Sequence, residues 1–335
     1  MALDGAAFSP KEFGLAIQAE ATIGTGVVSG MTRVNVDSVE MPGFNLTQVL
    51  DARSGSSGRV ADADDAFIDE KGVVKEITFS GVLDSTVAAL LIQNCIAKED
   101  SSNIVTVAAD YTPPELETGD NSSITIADTI TICVINPGTG NNQNMVFKGC
   151  VISSLTITGD MGDESGRLKF SATARTGYAG AYNQAAPTIS AAYGTTFYSL
   201  ATLSGAKTIA GCSDSVIQSF SLNIDNPAEF VGQNDANGNP DAIVRAVPEI
   251  AVTLDATVKY DVNTGGLMNS MNTGANAATL LCTHDALSNG STTFGFQGDN
   301  ARITGLSYNE ANAMMLDVST KFVASGSTAL FAIHY

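Results

Sequence analysis

Val216-Ile-Gln-Ser-Phe-Ser-Leu-Asn-Ile-Asp225 places apolar and polar side chains in strict alternation over most of its length. Successive side chains of an extended chain point to opposite faces, so this pattern makes one face for a core and one for solvent or a neighbour. The pattern recurs in pairs. Val151 to Asp160 is followed, after a polar turn, by Arg167 to Ala174; Val216 to Asp225 is followed by Glu249 to Tyr260; Ala301 to Tyr308 is followed by Met315 to Val323. The first members of the first two pairs align at an offset of 65 residues. Long alternating strands joined by polar turns predict a mainly β chain, an antiparallel β-sandwich or barrel.

The rest of the chain supports that class. Arg33 to Val39 alternates as a strand, and so does Val73 to Leu83, where Val73, Ile77 and Phe79 share one face. Asp84-Ser-Thr follows and offers oxygens to the first free amides of a helix. Thr86 to Ala97, with Val87, Leu90, Leu91 and Cys95 on one stripe, is the one helix the spacing predicts. Ile124 to Ala127 and Ile130 to Ile135 are β-branched runs, Asn136 to Asn144 is turn-rich, and Met145 to Cys150 is extended again. Residues 1–32 read as an N-terminal arm without clear periodicity, ending in flexible backbone around Gly24-Thr-Gly26. Residues 51–65, DARSGSSGRVADADD, read as a mobile loop with no core-forming pattern. The remainder, 33–335, reads as one β domain, divisible into lobes at about 33–145 and 146–335.

Charge narrows the function. The chain carries 35 acidic against 16 basic side chains, a formal charge of −19. Phosphate binding requires clustered Lys and Arg, so a dedicated nucleic-acid binder is excluded. Only 15% of residues are charged and 44% are apolar, which supplies a large core. The opening MALDGAAFSPKEFG has neither the basic nor the apolar region of a secretory signal, and no apolar run approaches the ~20 residues of a membrane span. The expectation is a soluble chain made in a cytoplasm. Five cysteines (Cys95, Cys133, Cys150, Cys212, Cys282) at irregular spacings, without CxxC, fit buried thiols rather than zinc or disulfides.

Catalytic constellations are missing from the sequence. His284 and His334 stand outside any HExxH-type pattern, and Cys282-x-His284 alone does not specify a metal. Neither a GxSxG elbow nor a P-loop lysine occurs. Gly24, Gly26 and Gly30 have the glycines of a dinucleotide turn without the preceding strand. Asp62, Asp64 and Asp65 read as a solvated loop. The best cation candidate is Asp235, Asn237, Asn239 and Asp241, with oxygens at positions 1, 3, 5 and 7 of a calcium-type loop. Pro240 stands where that loop needs Gly and Ala246 where it needs Glu, so a plain hairpin loop is the better reading. No enzyme and no cofactor is expected.

Four stretches carry a family resemblance: QAEATIGTG at 18–26, EITFSGVLDSTVAALLIQN at 76–94, MVFKGCVISSLTITGDMGDESGRLKFSATARTGY at 145–178, and VIQSFSLNIDNPAEF at 216–230 with AVPEIAVTLDATVKYD at 246–261. In these the chain resembles phage tail tube proteins, the major tail proteins of long-tailed phages. The loop at 51–65 and the insert at 181–210 have no counterpart. The resemblance implies a β-sandwich or barrel flanked by a helix. It also implies subunits that pair strand margins around a ring, and rings that stack into a hollow tube for genome passage. Such rings are usually hexamers; where the fold is duplicated within a chain, a trimer makes the same pseudo-sixfold ring. An offset of 65 residues is too short for two whole folds, which favours the hexamer. Implied partners are sister copies, the tape-measure protein, the tail terminator and baseplate or tip proteins, in a virion tail assembled in a host cytoplasm. DNA would pass an acidic wall without specific binding. The alternatives are a capsid or decoration protein, a β-rich adhesive domain, or an enzyme on a β scaffold.

Overall fold

Ile77 and Phe79 are wholly buried while Glu76 before them is exposed and Thr78 between them is half-buried, and this alternation is the unit from which the molecule is built. The computed structural model describes residues 10–40, 47–50, 66–69, 74–97, 104–109, 111, 116–117, 129–137, 143–202, 207–213, 215–232, 238–262, 264–273, 277–281, 294–310 and 313–335. The expected loop at 51–65, including Asp62, Asp64 and Asp65, and the β-branched run 124–127 lie outside them. So do Val73, Cys282 and His284.

The strands in chain order are β1 (Gly14–Ala19), β2 (Met31–Val34), β3 (Val36–Glu40), β4 (Thr47–Leu50), β5 (Ala66–Asp69), β6 (Lys75–Val82), β7 (Ile104–Val107) and β8 (Leu116–Glu117). They continue as β9 (Ile130–Ile135), β10 (Asn144–Asp160), β11 (Lys169–Thr176), β12 (Ala181–Gln184), β13 (Ile189–Ala191), β14 (Lys207–Thr208) and β15 (Ile217–Asp225). The last are β16 (Ala228–Val231), β17 (Ala242–Arg245), β18 (Ala251–Lys259), β19 (Ala277–Leu281), β20 (Gly295–Asn309), β21 (Met315–Phe322) and β22 (Phe331–His334). Helix α1 (Ser85–Ile96) follows β6 and α2 (Leu267–Thr273) follows β18.

The chain is mainly β, as the alternation predicts. One antiparallel sheet runs β3-β6-β11-β10-β15-β18-β21-β20, eight strands side by side. Strand β10 has 17 residues. Its second half belongs to this sheet, and its first half pairs with β9 and β12, which continue into β1, β2 and β13. Strand β20 behaves alike: its first half leaves β21 and pairs with β19 and β22. The sheets wrap around one core in which Phe79, Phe147, Leu155, Phe170, Leu222, Leu254, Phe296, Val318 and Phe331 are buried. Two small units stand apart, β16-β17-β8 and β4-β5.

Helix α1 begins one residue before the predicted start. Asp84 caps it, accepting from the Thr86 and Val87 amides at 2.9 and 3.1 Å. Ala97 ends it in the left-handed conformation, at φ 55°. Val87, Ala88, Leu91, Ile92, Cys95 and Ile96 bury its inner face. The second helix escaped the sequence because its seven residues, LMNSMNT, are too short to show a 3.6-residue period.

Three expectations change. The strand expected over 33–39 is two strands, broken at Asn35, whose carbonyl turns to accept from the Val82 amide. Within the span expected as an arm, Gly14–Ala19 is a sheet strand with Leu15, Ala16 and Ile17 buried between β9 and β2. The offset-65 likeness of Val151–Asp160 and Val216–Asp225, too short for two whole folds, joins adjacent strands instead of separate hairpins: they are β10 and β15, paired Leu155 to Ile224 and Ile157 to Leu222. They look alike because both put one face on the same stretch of core. Residues 145 and 146, either side of the expected lobe division, are consecutive within β10.

Candidate assembly surfaces

The outward face of the eight-stranded sheet is built from small polar side chains. Register lines them up in rows; one runs Ser38, Ser80, Ser171, Thr156, Asn223, Thr253, Lys321, Arg302 across all eight strands. Neighbours in the rows bond across strands. Ser154 donates to Asp225 at 2.6 Å, Thr156 to Asn223 at 2.8 Å and Thr257 to Asp317 at 2.7 Å. Ser38 and Ser80 hydroxyls are 2.8 Å apart. These bonds hold the hydroxyls down, leaving a smooth polar plane.

Charge on this plane is nearly balanced. Glu40, Glu76, Asp160, Asp225, Asp255 and Asp317 stand against Lys169, Arg175, Lys259, Arg302 and Lys321. Several of the cations are occupied: Lys169 meets Asp163 at 2.6 Å, Arg175 meets Glu76 at 3.2 Å and Lys321 meets Glu249 at 2.9 Å. Such exposed pairs add little stability, but they keep positive charge from gathering.

The two ends of the sheet differ from its middle. Among the described residues, β3 pairs with β6 alone, and the 302–309 segment of β20 pairs with β21 alone. Each therefore presents a row of backbone N–H and C=O groups without a strand on its outer side.

Two buried polar centres fix this scaffold. Glu20, at 1% exposure, ties β1 to its surroundings. One carboxylate oxygen accepts from Thr131 Oγ1 at 2.7 Å and the Gly149 amide at 2.8 Å; the other accepts from Thr129 Oγ1 at 2.9 Å and the Gly24 amide at 2.8 Å. Burial pushes its pKa above the ordinary carboxylate range despite these four donors. Gly24 and Gly149 both have positive φ, and both press on the Tyr178 ring, where an added Cβ would stand 2.3 and 2.4 Å from ring atoms. The 18–26 stretch is therefore pinned, and Gly24 is required by the turn and by Tyr178 rather than being slack backbone. No sequence pattern could have found this centre, because three of its four donors come from segments more than 100 residues away.

The second centre closes the C-terminal end of α1. Arg245, 1% exposed, donates through Nη2 to the carbonyls of Cys95 at 2.9 Å and Ile152 at 2.7 Å. Asn226 Nδ2 also donates to Cys95 O, at 2.8 Å, and Asn94 Oδ1 accepts from the Ile152 amide at 2.6 Å. A cation at a helix C-terminus faces the negative end of the backbone dipole. The cluster locks α1 onto β10 where that strand bulges.

The sequence candidates for chemistry are not brought together. Asp235 and Asn237 lie outside the described residues; Asn239 is half-buried, and Asp241 is exposed with its amide bonded to Val231 O. His334 is buried in β22. Cys95 and Cys133 are buried, with thiol pKa values pushed up to about 12 by loss of solvent, and Cys150 is raised in the same way. These are packing thiols rather than nucleophiles. A groove of about 530 Å³ beside Met161, Leu200, Lys207 and Gln218 holds no acid–base pair. Among the described residues no group of His, Cys, Asp and Glu could hold a metal ion, and no helix is long and apolar enough to cross a membrane.

No curated protein matches the chain. A family model described as phage tail tube protein matches residues 14–321, from the first residue of β1 to the penultimate residue of β21. With a sheet system of the kind that family implies and a match over nearly its whole length, the chain belongs to the phage tail tube protein family.

Proposed function

We propose that this structural tail protein associates through its sheet margins into rings, that the rings stack into a hollow tube, and that the polar face of the eight-stranded sheet lines the lumen. The observation that carries the reading is the long sheet whose inner face is spent on the core while, among the described residues, both margins stay open. A lone subunit would leave those margins as a hazard; sister copies satisfy them. The hydroxyl-rich plane suits passage of DNA. Its charges nearly cancel and three of its five cations meet carboxylates, so few condensed counterions would be released and the genome would slide without sticking.

In this reading the tube belongs to a virion tail, assembled in the host cytoplasm with the tape-measure protein, a terminator and baseplate or tip proteins. The loop at 51–65 and the start of the chain contact the neighbouring ring. Negative-stain microscopy of the purified protein tests the proposal. Hollow tubes or stacked rings support it, shells favour a capsid or decoration role, and monomers at high concentration refute it. Deleting 51–65 should leave soluble subunit without tubes, and tubes of wild-type length would remove that loop from the interface.

A further inference from the structure

We infer that the chain is two copies of one tube unit in tandem, and that β20 of one chain pairs with β3 of the next in the register that joins β10 to β15 within the chain, so that three chains close the ring. The inference rests on the tube reading.

The duplication is visible in topology. The first unit runs β1, β3, β6, α1, β9, β10, β11, β12; the second runs β14, β15, β18, α2, β19, β20, β21, β22. Both contribute four strands to the long sheet in the same spatial order, β3-β6-β11-β10 and β15-β18-β21-β20. In both, the second strand of the four leads into a helix, and the last in spatial order is a long strand that crosses to a second layer.

The irregularities repeat as well, and they are harder to produce by chance than the strands. Phe147 pairs with Ile132 and the ladder then jumps to Cys150 with Ile130; Gly298 pairs with Thr279 and jumps to Ala301 with Ala277. Val36 with Gly81 jumps to Ser38 with Ser80; Ile217 with Val258 jumps to Ser219 with Thr257. A bulge is a specified feature that bends and twists a strand at one place. Matched bulges therefore mean matched strand paths.

The duplication says what belongs on the open margin. Inside the chain, the first unit's β10 is covered on its outer side by the second unit's β15, with Thr158 opposite Ser221 and Gly159 opposite Phe220. The equivalent of β10 is β20, and the equivalent of β15 is β3. Transposing the register puts Asn309 opposite Glu40 and Glu310 opposite Val39 of the next chain. Exposure points the same way. Ile152, Leu155 and Ile157 of β10 are wholly buried, whereas their equivalents Ile303 and Leu306 are half-buried and Tyr308 is 48% exposed. These side chains share the core-side face with Leu316 and Val318 and lack the cover that a following unit provides. Head-to-tail pairing of this kind forms a ring when its rotation closes. The six-unit ring that the family resemblance implies would, at two units to a chain, contain three chains. This replaces the hexamer, whose support was a likeness between neighbouring strands.

The test is a cysteine pair, Asn309→Cys with Glu40→Cys, in tubes assembled under reducing conditions and then oxidised. Opposed residues in an antiparallel pair have Cα atoms roughly 4.5–5.5 Å apart, within disulfide reach. The expected product on a non-reducing gel is a ladder ending at three linked chains, absent from either single variant. A ladder reaching six overturns the threefold ring, and intact tubes without cross-links overturn the register, while the tube reading survives both. If the variant makes no tubes, averaging of wild-type tubes decides: threefold symmetry supports the inference and strict sixfold symmetry of identical chains overturns it. A wild-type protein that never forms tubes defeats the underlying reading instead.

Discussion

Ile152 and Ile303 occupy the same step of the same bulge. In each hairpin the strand pairs one residue at the isoleucine, skips the next, and resumes: Ile152 with Ala174 and then Ser154 with Thr173, Ile303 with Thr320 and then Gly305 with Ser319. One is wholly buried beneath α1 and the following unit, and the other is half-buried at an open end. On the proposed duplication the two isoleucines are equivalent positions of one unit, the second at an outer strand.

Glu20→Gln should destabilise the subunit by about 1–3 kcal/mol, because the carboxamide nitrogen would meet backbone or hydroxyl donors where an oxygen now accepts. Burial raises the Glu20 pKa in the fold above its value of 4.5 in the unfolded chain. The folded state therefore holds this proton more tightly, and the group's contribution to stability is full below pH 4.5 and declines as pH rises through the raised value. The wild-type advantage over the variant in thermal melts should thus be larger at pH 4 than at pH 7. An advantage that grows with pH would mean that the four donors outweigh burial and hold the carboxylate ionised.

Arg245→Met keeps the bulk of the side chain and removes its donors. The carbonyls of Cys95 and Ile152 would lose charged hydrogen bonds at the end of α1, at a cost of about 2–3 kcal/mol. Denaturant titration should show a lower midpoint with an unchanged slope, since the surface exposed on unfolding is the same. A midpoint equal to wild type would mean that Asn226 and Asn94 hold the helix by themselves.

Gly81→Ala separates assembly from folding. A Cβ there would stand 1.9 Å from the Asn35 carbonyl oxygen and 2.8 Å from Val36 Cα, both backbone atoms that cannot turn aside. Strand β3 must shift away from β6, costing about 1–3 kcal/mol. Because β3 is a margin, the subunit should remain folded by circular dichroism while tube yield falls sharply in sedimentation. Full tube yield would show that β3 takes no part in association.

Local order was legible in the residues themselves. Alternation at Val216–Asp225 or Met315–Val323 fixes a strand and its inner face, because side-chain direction depends only on neighbours along the chain. Asp84 before an apolar stripe marked the helix start for the same reason, and the stretches at 18–26 and 145–178 carried the family likeness. Partnership was not local. Any strand margin offers the same N–H and C=O groups, so nothing in β10 or β15 announces that they lie side by side, although their patterns align. The proposed repeat rests on strand order and bulges rather than on shared side chains, since a core asks for apolar volume rather than for particular residues. Glu20 was one carboxylate among many until the fold gathered Gly24, Thr129, Thr131 and Gly149 around it. Alternation of side chains is written in the sequence, whereas the choice of neighbours, and with it the open margins on which a tube depends, exists only once distant segments have been packed against one core.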